Sequence, residues 1–276
     1  MKVSVVIVSY NQAEFLEETI LSVINQDFPK KEIILIDGGS NDGSIQIIKK
    51  YANNFSYWIS EPDEGQTDAI IKGFNLCTGE LITWLNSDDL LTENIIDIVA
   101  NFAKKMGNPE GVFYGGVYFI DSTGEIQEKY PNHKFNYFIS KTLRPVLSQP
   151  GTFFSRKAYF AIGGLTKALR YSMDNDLFCN LLFSGYPFFY TGKYHSLFRK
   201  HPTQKGHSFR YIEQCALETK YIQNKYGYNN ISLFKKKLAR ILQVIIKLLT
   251  GCYLRTLLYR IIYKKRIYQF ETTYTN

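Results

Sequence analysis

Short, nearly unbroken apolar runs alternate with helical periodicity along the first part of this chain. Val3–Ser9 is apolar apart from its serines, and Glu32–Ile36 and Glu80–Leu85 repeat the pattern. Strands of this kind are covered on both faces, so they predict a parallel sheet between layers of helix. Helices are expected after each strand. Leu16, Ile20, Val23 and Ile24 share one face of the first, with Asn11 as its cap. Ile45, Ile47 and Ile48 mark the second, and Asp68–Cys77 forms the third. Thr92 is expected to cap a fourth, which turns Ile95, Ile96, Val99 and Phe102 inward.

Beyond that helix the rhythm changes. Val112–Ile120 and Ile126–Tyr130, joined through Asp121-Ser122-Thr123-Gly124, read as an antiparallel hairpin. Residues 131–155 have no regular period. A short helix near Arg156–Ile162, a break at Gly163-Gly164 and a helix from about Asp174 follow. From Ser232 the pattern is amphipathic and basic, with Gly251 separating two expected helices. The fold class is therefore α/β with a basic, amphipathic helical extension at its C-terminal end.

Charge sharpens that division. The 276 residues carry a net +8, but residues 1–218 hold 21 basic and 24 acidic side chains. Residues 219–276 hold 12 basic side chains against the single acid Glu271. A catalytic body over 1–218 and a basic tail over 219–276 are expected, the tail meeting an anionic surface. Tyr253, Tyr259, Tyr263 and Tyr268 suit the depth of a lipid interface, and nucleic acid is disfavoured because the tail holds no recognised binding module and the rest of the chain is acidic. A dimer interface is the other use for such helices.

The four cysteines, Cys77, Cys179, Cys215 and Cys252, match no metal or redox spacing. No signal-peptide pattern opens the chain, and no stretch reaches the roughly 18 uncharged apolar residues of a spanning helix. The expected place is the cytoplasm, at the inner face of the cell membrane.

The chemistry sits where the strands end. Val3–Ser9 runs into Tyr10 and Asn11, Glu32–Ile36 into Asp37, and Glu80–Leu85 into Asn86-Ser87-Asp88-Asp89. Ligands of open α/β sheets bind beyond the carboxyl ends of strands, so these residues describe one site. The Asp88-Asp89 pair suits a hard divalent cation. Gly38-Gly39-Ser40-Asn41-Asp42-Gly43 is glycine-rich, yet no Lys follows it and it does not fit Gly-x-Gly-x-x-Gly.

Taken in order and spacing, Ser4–Asn11, Ile36–Gly43 and Trp84–Asp89 closely resemble the family 2 glycosyltransferases of GT-A fold, over roughly residues 2–210. The resemblance implies a Rossmann-like mixed sheet, a nucleotide-sugar donor, usually a UDP-sugar, and Mn²⁺ or Mg²⁺, with inversion at the anomeric carbon. Ser9, Tyr10, Asn11 and Asp37 would meet the nucleotide, and Asp88 and Asp89 the ribose and metal. Ser60–Gly73 looks like the segment closing over the nucleotide, with Gln66 and Lys72 in place of the Arg that many members carry and Asp68 as a further nucleotide-binding candidate.

An inverting transferase needs a base for the acceptor hydroxyl. Asp174 matches the family's position, with Asp176 as an orienting neighbour. His201, Lys205 and His207 resemble a loop over the donor phosphates. The Gln-x-x-Arg-Trp signature of processive synthases is absent, so the resemblance implies one sugar per acceptor, a glycan or lipid-linked molecule of cell-surface polysaccharide synthesis. The alternative is a nucleotide-sugar-binding or scaffold protein that keeps the fold without catalysis.

Overall fold

The computed structural model describes residues 1–202, 204 and 209–251 of the chain. Strand β1 (Val3–Ser9), buried from end to end, lies between β2 (Lys31–Asp37) and β4 (Leu81–Asn86), parallel to both. Outside β2, the short β3 (Tyr57–Ser60) continues the parallel set. Helices α1 (Ala13–Ile24), α2 (Ser44–Lys50), α3 (Gln66–Leu76) and α4 (Ile95–Lys105) fill the connections. Leu16, Ile20, Ile48, Ile96 and Val99 cover one face of the sheet against Val5, Ile7 and Leu35. On the other face Ile70 and Phe74 of α3 pack on Val6, Val8 and Trp84. Gly73 is what lets α3 come so near: a Cβ there would lie 2.3 Å from Val6 Cγ1.

The second half completes a mixed sheet. β8 (Phe153–Ser155) is antiparallel to both β4 and β6 (Val112–Ile120), which pairs in parallel with β9 (Phe188–Arg199). The two-residue β5 (Leu90–Leu91) closes the far edge on β9, and β7 (Ile126–Tyr130) makes the expected hairpin with β6. The strand order is β3-β2-β1-β4-β8-β6-β9-β5 with β7 beside β6, nine strands in all. Helices α5 (Tyr137–Leu143), α6 (Arg156–Ala161), α7 (Met173–Phe183), α8 (Phe209–Lys225) and α9 (Leu233–Leu249) complete the described chain. The mixed α/β sheet flanked by helices is the expected architecture.

Several local expectations are corrected. Gln12, not Asn11, is the residue before α1, and Asn11 takes a left-handed φ of 50°. Asn11 Oδ1 instead accepts from Asn41 N at 2.9 Å, while Ala13 N donates to Asp42 Oδ2 at 2.8 Å. The first turn of α1 is thereby satisfied from the loop after β2, which ties the two strand ends together. Thr92 does not cap α4 either. Its hydroxyl donates to Tyr194 O at 2.8 Å, because β9 places a carbonyl beside it.

The expected boundary at residue 218 falls inside α8. There the buried Glu218 carboxylate accepts from the backbone N–H groups of Arg170, Tyr171 and Ser172, so the catalytic body continues into this helix. After it, α9 packs its buried Ala239 inward but leaves Leu233 84%, Phe234 76% and Leu249 83% exposed. Among the described residues no helix is long and apolar enough to cross a membrane. The second tail helix expected after Gly251 lies outside the described residues. Arg144, at the C-terminal end of α5, sits at φ 80°, ψ 152°. Only glycine adopts that region freely, and other residues lose about 1–3 kcal/mol there.

Candidate active site

The carboxyl ends of β1 and β4, the start of α3, the 147–150 segment and the start of α7 enclose a cleft of ≈ 1260 Å³. Ser9, Tyr10, Asn11, Gln66, Asp88 and Asp174 line it, so six of the residues picked from the sequence share one space. Ser9 Oγ and Trp84 Nε1 both lie buried at this cleft without a hydrogen-bond partner among the described residues. A buried donor left unsatisfied costs its full desolvation free energy, which makes both groups candidates for contact with a ligand.

The Asp88-Asp89 pair is divided. Asp88 keeps 13% of its side chain exposed, faces the cleft, and meets His201 Nε2 at 3.1 Å through Oδ2. Behind it, the His201 ring packs on Phe15, 4.6 Å between centroids. Asp89 is fully buried instead. Its Oδ1 accepts from Arg199 N at 3.2 Å and its Oδ2 from Asn86 Nδ2 at 3.1 Å. Burial, then the neighbouring Asp88 charge, pushes the Asp89 carboxyl well above the usual range. The expectation of Asp89 as a metal ligand is therefore corrected: it faces the frame of the corner.

That frame is Arg199, the last residue of β9. Fully buried, it donates from Nε to Asp88 O and from Nη1 to Asp121 O and Ser122 O, and pairs with Glu18. Its planar fork of donors holds three chain segments at once.

Three further expectations are displaced. Asp37 is buried, and its carboxylate accepts from Gly39 N, Ser40 N, Ser40 Oγ and Ser60 Oγ at 3.1, 2.9, 2.6 and 2.6 Å. Four donors from its own turn and from β3 occupy it, so it shapes the loop and does not reach a base. Asp68 pairs with Lys167 at 2.8 Å, and the same contact is the main cause of its lowered pKa. Lys72 pairs with Glu61 at 3.0 Å and Asp68 at 3.4 Å, away from the cleft lining. Gln66 does reach the cleft, where its Nε2 donates to Asn86 Oδ1 at 2.6 Å.

At the other wall, Asp174 opens α7. Asn175 N donates to its Oδ1 at 2.8 Å, and among the described residues no basic side chain pairs with it. Burial, with a smaller push from the Glu218 charge, holds its carboxyl above the ordinary range. A carboxylate so placed is a stronger base than one in water. Asp176 faces inward, 1% exposed, and accepts from Lys225 Nζ at 2.8 Å, Tyr226 Oη at 3.0 Å and Thr166 Oγ1 at 2.6 Å. It joins α7 to α8 and does not touch the cleft, which corrects its expected orienting role. Lys205 and His207 lie outside the described residues.

Sequence reading missed Trp84 and Arg170 as lining residues. Arg170 carries a usable signal, a cation four positions before the proposed base. His195 is buried between Gly151 O and Thr191 Oγ1, and burial lowers its pKa to about 4. A Cβ on Gly115 would come 2.2 Å from this ring, so the imidazole occupies a space that only glycine leaves.

Comparison with known proteins decides the family. The model of glycosyl transferase family 2 matches residues 4–163. This chain belongs to that family. Over 105 residues it is 39% identical to a cholesterol galactosyltransferase of Borreliella burgdorferi, covering 37% of this chain and 29% of that protein. An uncharacterized glycosyltransferase of Rickettsia felis is 28% identical over 188 residues, 65% of this chain and 31% of the other. The chain thus spans about a third of the length of these relatives.

Among solved structures, residues 1–349 of TarS from S. aureus in complex with UDP-GlcNAc superpose with a TM-score of 0.60 at 18% identity, covering 81% of this chain and 67% of that one. Mannosyltransferase PcManGT from Pyrobaculum calidifontis, in complex with GDP-Man and Mn²⁺, gives 0.56 at 18%, covering 95% and 83%. At such identities the likeness is one of fold, and the fold is the GT-A one.

Proposed function

We propose that this chain transfers a sugar from a nucleotide-sugar, a UDP-sugar by the family resemblance, to a hydroxyl of a glycan or lipid-linked acceptor, with inversion and one sugar per acceptor. The observation that carries this reading is that Asp174, half-buried and without a cationic partner among the described residues, lines the same cleft as Asp88, and its desolvation favours a raised carboxyl pKa. Asp174 takes the proton of the acceptor hydroxyl as that oxygen attacks the anomeric carbon and the nucleoside diphosphate departs. Ser9 Oγ and Trp84 Nε1 supply donors for the nucleotide-sugar, and Tyr10, Asn11 and Gln66 border the same space.

The donor set also fits a divalent cation. Among the described residues no three His, Cys, Asp or Glu side chains converge, but Mg²⁺ and similar ions are commonly held by one or two carboxylates plus substrate phosphates. Asp88 is the carboxylate offered here, with His201 beside it. When bound, the ion would neutralise charge on the departing diphosphate. The Mn²⁺ and GDP-Man named with one fold neighbour support this reading.

Attachment to the inner membrane face through α9 and the basic tail belongs to the same proposal, supported by the exposed apolar side chains of α9 and the near absence of acids. A relative named for galactosyl transfer to cholesterol supports an amphiphilic acceptor. The test is release of UDP when the full chain meets UDP-glucose, UDP-galactose or UDP-GlcNAc with a membrane lipid extract. Release that requires Mn²⁺ or Mg²⁺ and stops with EDTA is expected. Donor binding without release above the blank would favour the non-catalytic alternative.

A further inference from the structure

A second cavity, of ≈ 220 Å³, lies between the segment after β7 and helix α9. Leu147 lines both this cavity and the donor cleft, so the two are neighbours. Tyr130, Phe135 and Ile139 give it apolar walls, while Arg144 and Lys247 face it against one carboxylate, Glu128. The site is therefore a small amphipathic chamber with an excess of positive charge.

Two features say that the charge has a purpose. Arg144 places a cationic side chain on a backbone conformation that glycine alone adopts without strain. Its guanidinium has no hydrogen-bonded or carboxylate partner among the described residues, although a guanidinium offers five donors. The second feature is the orientation of α9. Gln243 and Lys247 face the cavity, while Phe234, Leu238, Ile241, Ile245 and Leu248 point outward at alternating spacings of four and three. Lys235, Lys237 and Arg240 stand exposed beside that apolar seam. The inner side also carries the buried Ala239 and the half-buried Leu242 and Ile246, so α9 packs by apolar groups and still leaves a continuous apolar seam outside. The arrangement suits a ligand whose tail stays with the outer apolar side and whose charged head sits beneath the helix.

We propose that this cavity holds the phosphate of a lipid-phosphate-linked saccharide, whose sugar reaches past Leu147 to the donor cleft. Arg144 and Lys247 bind the phosphate by charge-assisted hydrogen bonds, and α9 guides the lipid. The assignment deepens the acceptor class of the transferase and rests on that reading for its catalytic meaning.

Calorimetric titration of the full chain with farnesyl phosphate, farnesol and inorganic phosphate tests it, with UDP titrated separately. Farnesyl phosphate is expected to bind best. Arg144→Gly and Lys247→Gln each lower that affinity at least about tenfold while UDP affinity holds and the melting temperature does not fall, rising in Arg144→Gly. Because Arg144→Gly relieves backbone strain, a loss of binding there is not a loss of fold. Undetectable farnesyl phosphate binding, or equal binding by the variants, would overturn the site. Farnesol binding as tightly would make it a neutral lipid pocket, and inorganic phosphate binding as tightly would make it a free-ion site; either overturns the proposal. Failure of UDP binding alone strikes the transferase reading and leaves the cavity judged by its own titration.

Discussion

Two acidic pairs, one after β4 and one at the start of α7, are each split between the cleft and the frame. Asp88 and Asp174 face the cleft, whereas Asp89 and Asp176 are buried behind them. The difference lies in how the buried members are satisfied. Asp176 meets a Lys, a Tyr and a Thr, so its charge is compensated. Asp89 meets only a backbone N–H and an amide, with the Asp88 charge beside it, and its carboxyl is raised. One pair therefore anchors a helix by charge, while the other holds a corner by geometry. Neighbouring aspartates in a motif are not interchangeable, and burial assigns their work.

The largest effect that would sharpen this contrast is on turnover. Asp174→Asn is expected to lower transfer by about 10²–10⁴-fold while UDP affinity is retained. It should also raise the melting temperature slightly near neutral pH. A carboxyl whose folded pKa lies above its unfolded one loses stability as pH rises through the folded value, and the amide removes that loss. Unchanged turnover would remove Asp174 from the mechanism.

Next in size is Asp176→Ala. It breaks a buried, compensated carboxylate and is expected to cost about 2–4 kcal/mol in urea or thermal unfolding, with UDP affinity in the folded protein unaltered. Lys225 keeps part of its exposure and can return to water, which holds the loss within that range.

A smaller effect concerns pH. Asp174 must be ionised to act, so kcat/KM should fall as pH drops through a value above the ordinary aspartate range near 4. A limb at or below that range would show that burial does not tune this group.

The smallest effect belongs to Glu32, far from the cleft. Burial pushes its pKa up, but hydrogen bonds from Lys2, Ser4 and Thr78 outweigh that and hold it at about 2. Its contribution is present above the unfolded value near 4.3 and fades as pH falls toward 2. Glu32→Gln should thus flatten acid unfolding by up to about 2–3 kcal/mol. An acid limb as steep in the variant as in the parent would contradict this.

The parallel half of the sheet was legible because β1, β2 and β4 are buried on both faces and therefore apolar throughout. β9 was not. Its bulged pairing with β6 and the turn at Gly192 break its apolar pattern, and a parallel partner so distant in sequence leaves no local signal. β3 is four residues long and half-exposed, too little for periodicity.

The strand-end reading placed Ser9, Tyr10, Asn11 and Asp88 at the cleft but misjudged Asp37, whose four hydrogen bonds come from serines and amides that no motif reveals as partners. A partial signal was present: Trp84 and Asn86 alternate toward the cleft along β4, whereas beyond the strand Ser87 and Asp88 line it and Asp89 turns away. Arg199 stayed hidden because its partners come from residues 18, 88, 121 and 122. Only tertiary structure gathers them.

The most direct test of the split is a calorimetric titration of UDP with Mn²⁺, and again with EDTA, into wild type and Asp88→Ala. The account predicts Mn²⁺-dependent UDP affinity in wild type and its loss in the variant, at unchanged melting temperature. Mn²⁺-dependent affinity that survives Asp88→Ala would contradict the account and place the donor's metal on other residues.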